Sequence, residues 1–249
     1  MDKAEKADLI PWPTFSEEQA VNDLIAKSEQ FATYYKTQRG KLLRPIVWAL
    51  DNSMKEDKAT LNVSIGRGDE VIQVIRMKGI PPKLEDAGDV AHALETYILE
   101  AEGFPSTYYV DERFSELCGV INNTIIATFV DSRLKAYGFD PIYEYKRRLD
   151  NAHRELEKFQ TSPTQNTLRL KWIFKYVAMV LYREACYGYY DEIEDEFRTW
   201  FDERYPDIAQ EGQELLTLIR SIGYDTPDKM KKVFKKIIPK YRLNGFLFV

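Results

Sequence analysis

The sequence predicts an α+β fold, with a small antiparallel hairpin near residues 60–80 packed on a predominantly helical body. Three observations carry this. Leu61, Val63 and Ile65 alternate with polar residues, and an apolar run from Val71 follows the turn-forming G-R-G-D. Beyond Pro82, apolar residues recur at helical spacing in segment after segment. The 249 residues are 44% hydrophobic and 13% aromatic, which is enough for a sizeable core and outside the composition of disordered chains.

The elements follow in order. Residues 1–15 read as a loose N-terminal arm ending in P-W-P-T-F, and 16–249 as one α+β domain, with a helical C-terminal subdomain from about 165 as an option. S-E-E-Q at Ser16 is a capping-box pattern, and Ala20, Leu24, Phe31 and Tyr35 continue that helix to about Thr37. Pro45 blocks a continuous helix, and an apolar run follows it. After the hairpin, Val90, Leu94, Tyr97, Ile98 and Ala101 form a helical stripe that Gly103 terminates. One or two helices span 111–137, another runs from about Pro141 to Gln160, and an aromatic-rich core helix covers about Leu168 to Tyr187. The acidic segment Y-Y-D-E-I-E-D-E-F leads to Pro206, and helices over about 208–222 and 227–238 complete the chain.

Composition excludes several classes of function. No run approaches the roughly 18 apolar residues of a membrane span, and the N-terminus lacks a signal core, so a soluble cytoplasmic protein with no membrane partner is expected. The net charge of −5 argues against nucleic acid, because such binding rests on neutralising phosphates. Cys118 and Cys186 read as buried free thiols rather than nucleophiles, since no histidine is near either in sequence. There is no phosphate-cradling glycine loop and no Gly-x-Ser-x-Gly elbow, and two histidines leave little material for a serine triad.

The first histidine, His92, lies on the helix that follows the hairpin and its Pro81-Pro82 break. The segment A-H-A-L-E-T-Y-I-L-E-A-E-G-F-P, residues 91–105, together with the hairpin from residue 61, resembles the zincin-like metallopeptidases. Their motif is His-Glu-x-x-His, which places two imidazoles on one helix face while the glutamate polarises the metal-bound water. His92 stands at the first histidine position. Ala93 replaces the glutamate and Thr96 the second histidine, so the resemblance implies the scaffold without the base or the second ligand. On that reading the protein is non-catalytic and works by binding another protein, and homo-oligomers are compatible with it.

The alternative is a metal-dependent hydrolase with a rearranged zinc site. Its candidate ligands are His92, Glu95 and Glu100, which spacing places within about sixty degrees around the helix. Two ligands do not make a site, so a third must be found. A second pattern, Asp89-x-x-His92 and Asp150-x-x-His153, echoes the steps of di-iron bundles. Gly103, Pro105, Gly138 and Pro141, however, interrupt the long helices such a bundle needs.

The last helix is the strongest candidate surface for a protein partner. Thr226 caps it, Pro227 takes its first turn, and Met230, Val233, Phe234 and Ile237 line one face. Lys231, Lys232, Lys235 and Lys236 line the rest, which reads as an anionic-partner surface or as the solvated back of a docked helix. The acidic run from Asp191 to Glu196 is a candidate counterpart.

Overall fold

The computed structural model describes residues 10–54, 59–65, 71–140, 142–158, 162–163, 165–186 and 192–249. They form an α+β protein in two compact units, one of residues up to 102 with 136–139, the other of 103–135 with 140–249. The helices beyond residue 165 thus belong to a unit that begins at Gly103.

The first unit is built on a mixed four-stranded sheet. Its strands are β1 (Thr14–Phe15), β2 (Ile46–Leu50), β3 (Thr60–Ile65) and β4 (Ile72–Met77), in the order β1-β2-β4-β3. The expected hairpin is β3 with β4, antiparallel with Val63 opposite Val74. Its turn, residues 66–70, lies outside the described residues. Two further strands extend this hairpin into the four-stranded sheet. β2 is the apolar run after Pro45, and it pairs parallel to β4 with Trp48 opposite Ile75. Such an uninterrupted apolar run suits a central strand, because both of its faces are covered. β1 corrects the loose arm, since residues 10–15 are part of the fold. Thr14 and Phe15 pair with Ala49 and Trp48, and Leu50 N–H donates to the Pro13 carbonyl at 2.9 Å.

The two faces of the sheet are covered differently. On one, Ala49, Ile72 and Val74 pack with Val63, Ile65, Ile10 and Trp12, so the N-terminal segment seals the apolar side of the hairpin. The other face carries the helix α3 (Ala87–Ala101), introduced by polar contacts from the edge strand. Thr60 Oγ1 donates to the Asp89 carbonyl at 3.1 Å and Asn62 Nδ2 to the Ala93 carbonyl at 2.8 Å. The Tyr97 hydroxyl lies 2.9 Å from the carbonyls of both Val63 and Val74, fixing the helix across two strands. Val90, Leu94, Tyr97 and Ile98 are buried as the stripe predicts, and Gly103 ends the helix with φ of +85°.

Ahead of β2 the expected single helix is two, α1 (Glu17–Lys27) and α2 (Glu29–Gln38). The capping box is present, with Gln19 N–H donating to Ser16 Oγ at 3.3 Å and Ser16 N–H to Gln19 Oε1 at 3.0 Å. The break falls at Ser28, whose extended backbone lets its hydroxyl accept from Phe31 N–H at 3.2 Å as a second cap. The two ends of this helix pair are tied by Glu17, which accepts from Tyr35 Oη and from Arg39 Nε and Nη2. Burial pushes the Glu17 carboxyl up, but the bonds from Arg39 and Tyr35 outweigh it and hold the group below its ordinary value of 4.5. A depressed carboxyl adds stability above its unfolded pKa and loses it as pH falls through the lower folded value. Glu17→Gln is therefore expected to cost about 1 kcal/mol or less near neutrality, both partners being partly exposed. The variant and the parent chain should converge in acid. Urea midpoints measured across the acid range check this, and a gap that widens on acidification would refute it.

The second unit is helical. Its helices are α4 (Ser115–Asn122), α5 (Thr128–Lys135), α6 (Ile142–Leu156), α7 (Asn166–Cys186), α8 (Glu192–Arg204), α9 (Pro206–Ile222) and α10 (Pro227–Lys240). A π-helical turn, Asn123–Ala127, joins α4 to α5, and Thr124 Oγ1 there reaches the carbonyls of Val120 and Phe174 at 2.8 and 3.2 Å. α7 is the core helix expected of its aromatic sequence, with Trp172, Phe174, Tyr176 and Tyr182 all buried. The acidic segment after Tyr190 contains α8, a helix the pattern reading does not assign. Strands β5 (Tyr108–Tyr109) and β6 (Leu247–Phe248) add an antiparallel ribbon. Both cysteines are buried free thiols. Cys118 Sγ lies 3.3 Å from Thr107 Oγ1, and burial pushes its thiol up, as suits a packed side chain rather than a nucleophile.

Candidate functional site

Helix α3 positions all three proposed ligands, and each meets different surroundings. His92 is half-buried, and its backbone carbonyl accepts from Thr96 Oγ1 at 2.9 Å. Thr96 thus turns its hydroxyl onto its own helix, a bond common for threonine within helices. Ala93, at the position of the missing base, is buried, and its carbonyl is held by Asn62 of the edge strand. Glu95 is only 1% exposed, and its Oε2 accepts from the Tyr34 hydroxyl of α2 at 2.9 Å. Glu100 is exposed and accepts from Gln73 Nε2 of β4 at 3.1 Å.

His92, Glu95 and Glu100 are therefore not brought together as a ligand set. Among the described residues no group of three or more histidine, cysteine, aspartate or glutamate side chains is placed to hold a metal ion. Helical spacing put them within one sector, but the sector is wide. Glu95 turns into the core, whereas Glu100 is exposed about two turns along from His92, beside Gln73 of β4. Asp89 is an anchor for the hairpin, accepting from Ala59 N–H at 3.4 Å.

The second carboxylate-x-x-histidine step falls in the other unit. Asp150, His153 and Arg154 of α6 border an open surface depression. His153 stands edge-on to Trp200 of α8, with ring centroids 4.7 Å apart. Arg154 Nη2 donates to Asn151 Oδ1 at 2.6 Å, within the same helix.

Helix α10 is as the sequence predicts. Lys229 N–H donates to Thr226 Oγ1 at 3.4 Å, and Met230, Val233, Phe234 and Ile237 are fully buried. The two lysines at its ends are paired, Lys229 with Asp225 at 2.9 Å and Lys240 with Glu214 at 3.1 Å. Lys231, Lys232, Lys235 and Lys236 are exposed and make no ion pair among the described residues. The acidic counterpart expected at 191–196 has its side chains outside the described residues.

One surface has no signal in the sequence. The β5–β6 ribbon exposes Tyr108, Val110, Phe246 and Phe248. The T-Y-Y-V and F-L-F-V segments that build it lie far apart in the chain, and neither repeats a pattern that announces a partner.

Fold and surface define an α+β protein with a basic helical face on α10. Compared with known proteins, the chain matches no family model, no curated protein and no solved structure. Among the described residues no helix is long and apolar enough to cross a membrane.

Proposed function

We propose that this is a non-catalytic protein that acts by binding another protein through the basic face of α10, and that α3 keeps the outline of a metallopeptidase helix without its chemistry. The observation that carries the binding role is the set of four exposed lysines that make no ion pair among the described residues, on a helix whose apolar side is already buried. A helix in that state has no free apolar face to insert into a lipid interface, so charge is what it offers a partner. The complement of a basic face of this kind is an acidic protein surface. For α3, the support is the framework use of Ala93, Thr96 and Glu95 where the chemistry would need a base and ligands.

Lysine-directed cross-linking of the full chain in extract, read by mass spectrometry, tests the binding half. Adducts joining Lys231, Lys232, Lys235 and Lys236 to acidic segments of another protein are expected. They should fall several-fold at about 0.5 M salt, and the cross-linked partner should no longer co-purify with the K231E/K232E/K235E/K236E variant. Adducts indifferent to salt, or a partner retained by that variant, refute the assignment. Elemental analysis tests the other half, since stoichiometric zinc lost on His92→Ala would establish the rearranged hydrolase site instead.

A further inference from the structure

We infer that Asn244 is a site of spontaneous covalent modification, where the chain converts its own asparagine to aspartate and isoaspartate and so loosens the β5–β6 ribbon. Asn244-Gly245 is the only Asn-Gly step in the sequence, and it lies in the turn between α10 and β6. Phe246 N–H donates to the Leu243 carbonyl at 3.0 Å, which makes Asn244 and Gly245 the two central residues, Gly245 with φ of +85°. Both are exposed. Among the described residues the Asn244 carboxamide makes no hydrogen bond, and neither does the Gly245 N–H. A Cβ built on Gly245 would meet nothing within 4 Å, so no neighbour shields the peptide nitrogen.

These two groups are reaction partners. The deprotonated Gly245 nitrogen attacks Asn244 Cγ, a bond forms between them, and the bond from Cγ to Nδ2 breaks. The nitrogen's proton and the departing amino group leave as ammonia, and a cyclic imide remains. Water then opens the ring at either carbonyl. One opening gives ordinary aspartate, and the other routes the main chain through the side-chain carboxyl as isoaspartate. Nothing is oxidised or reduced, and water is the one co-reactant. Glycine hinders the attack least, since it has no Cβ beside the nitrogen and turns freely into the angles that ring closure needs.

The fold selects among the asparagines. Asn52 is also exposed in a turn and precedes a small residue, Ser53. There the nucleophile is engaged, because Ser53 N–H donates to Asp51 Oδ1 at 2.9 Å. The carboxamides of Asn62 and Asn122 are held by the carbonyls of Ala93 and Thr107. The consequence of conversion is set by the fold as well. The Leu243 carbonyl accepts from both Phe246 N–H and Leu247 N–H at 3.0 Å, and Leu247 pairs with Tyr109 across the ribbon. Isoaspartate inserts one extra backbone carbon into the turn that these bonds close.

Incubation of the full chain in mildly alkaline buffer at physiological temperature, followed by peptide mass spectrometry, tests this. Over days the Asn244 peptide is expected to gain the mass that separates a hydroxyl from an amino group, in two chromatographic forms. It should convert about tenfold or more faster than the Asn52 peptide, whose nucleophile must first leave a hydrogen bond to a carboxylate. The rate should rise roughly tenfold per pH unit, because the reacting form is the deprotonated nitrogen. Asn244→Gln, whose longer side chain closes a larger and slower ring, should abolish conversion with an unchanged circular dichroism spectrum. Amide hydrogen exchange at residues 108–110 and 247 should be faster in the aged chain than in the fresh one, and equally slow in aged Asn244→Gln. An Asn244 that stays intact in the folded chain overturns the inference, and its conversion in urea would show that the fold protects it. Conversion of Asn52 at the same rate overturns the role given to the free Gly245 amide. Unchanged exchange after conversion overturns the loosening of the ribbon. None of these measurements involves the lysine face of α10, so this inference and the binding role fail separately.

Discussion

Gly212→Ala is expected to destabilise the helical unit by about 2–3 kcal/mol, near the upper end for adding one methyl to a packed core. Gly212 of α9 lies against the ring of Tyr176 of α7. A methyl built there would overlap Tyr176 Cδ1 and stand 2.9 Å from Cε1 and 3.3 Å from Cγ. The ring has nowhere to retreat. Tyr176 is fully buried and tilts against Phe201, with centroids 4.9 Å apart. Its hydroxyl is held at the far end, accepting from Gln213 Nε2 at 2.5 Å and lying 3.4 Å from Asp202 Oδ1. One tyrosine thus joins three helices, and the missing Cβ is what lets α9 approach it. Urea denaturation of the single variants and of Gly212→Ala/Tyr176→Ala would measure the effect. The double variant should lose less than the sum of the singles, because the smaller residue removes the clash. Strict additivity would show that the contact is not the cause.

Asp51→Ala should cost the first unit about 3 kcal/mol, the range for removing one partner of a buried ion pair. Asp51 ends β2 and is 4% exposed. One oxygen accepts from Ser53 N–H at 2.9 Å and Ser53 Oγ at 2.6 Å, while the other pairs with Arg76 of β4. The carboxylate therefore satisfies three donors across adjacent parallel strands. The Arg76 guanidinium also lies over the Trp12 ring, 4.2 Å from its centroid. Removing Asp51 strands a mostly buried cation and loosens the segment that covers the apolar side of the sheet. Asp51→Asn keeps an acceptor and should lose roughly half as much. Denaturant midpoints, with tryptophan emission as the probe, would register both. A loss below about 1 kcal/mol for Asp51→Ala would mean that solvent already screens the pair.

The elements differ in how far they could be read from residues alone. The capping box at Ser16, the hairpin strands, the α3 stripe and the Thr226-Pro227 start of α10 each depend on contacts within a few residues, so local pattern sufficed. Ser28 was harder. A serine inside a helical pattern is a cap only if the chain bends there, and the bend is settled by what Phe31 and Tyr34 pack against. β2 was ambiguous because a five-residue apolar run fits a strand or a buried helix, and its pairing partner lies beyond the intervening β3. The lysine face was legible through amphipathic spacing. The ligand set around His92 was not excluded by spacing, because one side of the helix spans both buried Glu95 and exposed Glu100.

The α+β class, the caps at Ser16 and Thr226 and the burial of α7 and α10 were determined by the sequence itself. They follow from short-range sterics and from apolar periodicity, which are properties of the chain. What only the tertiary structure decided is which side chains distant in sequence meet. Glu95 meets Tyr34, Asp51 meets Arg76, Gly212 meets Tyr176, and Tyr108 meets Phe248. Each of these pairs is joined by packing across many intervening residues, and no local pattern encodes that geometry.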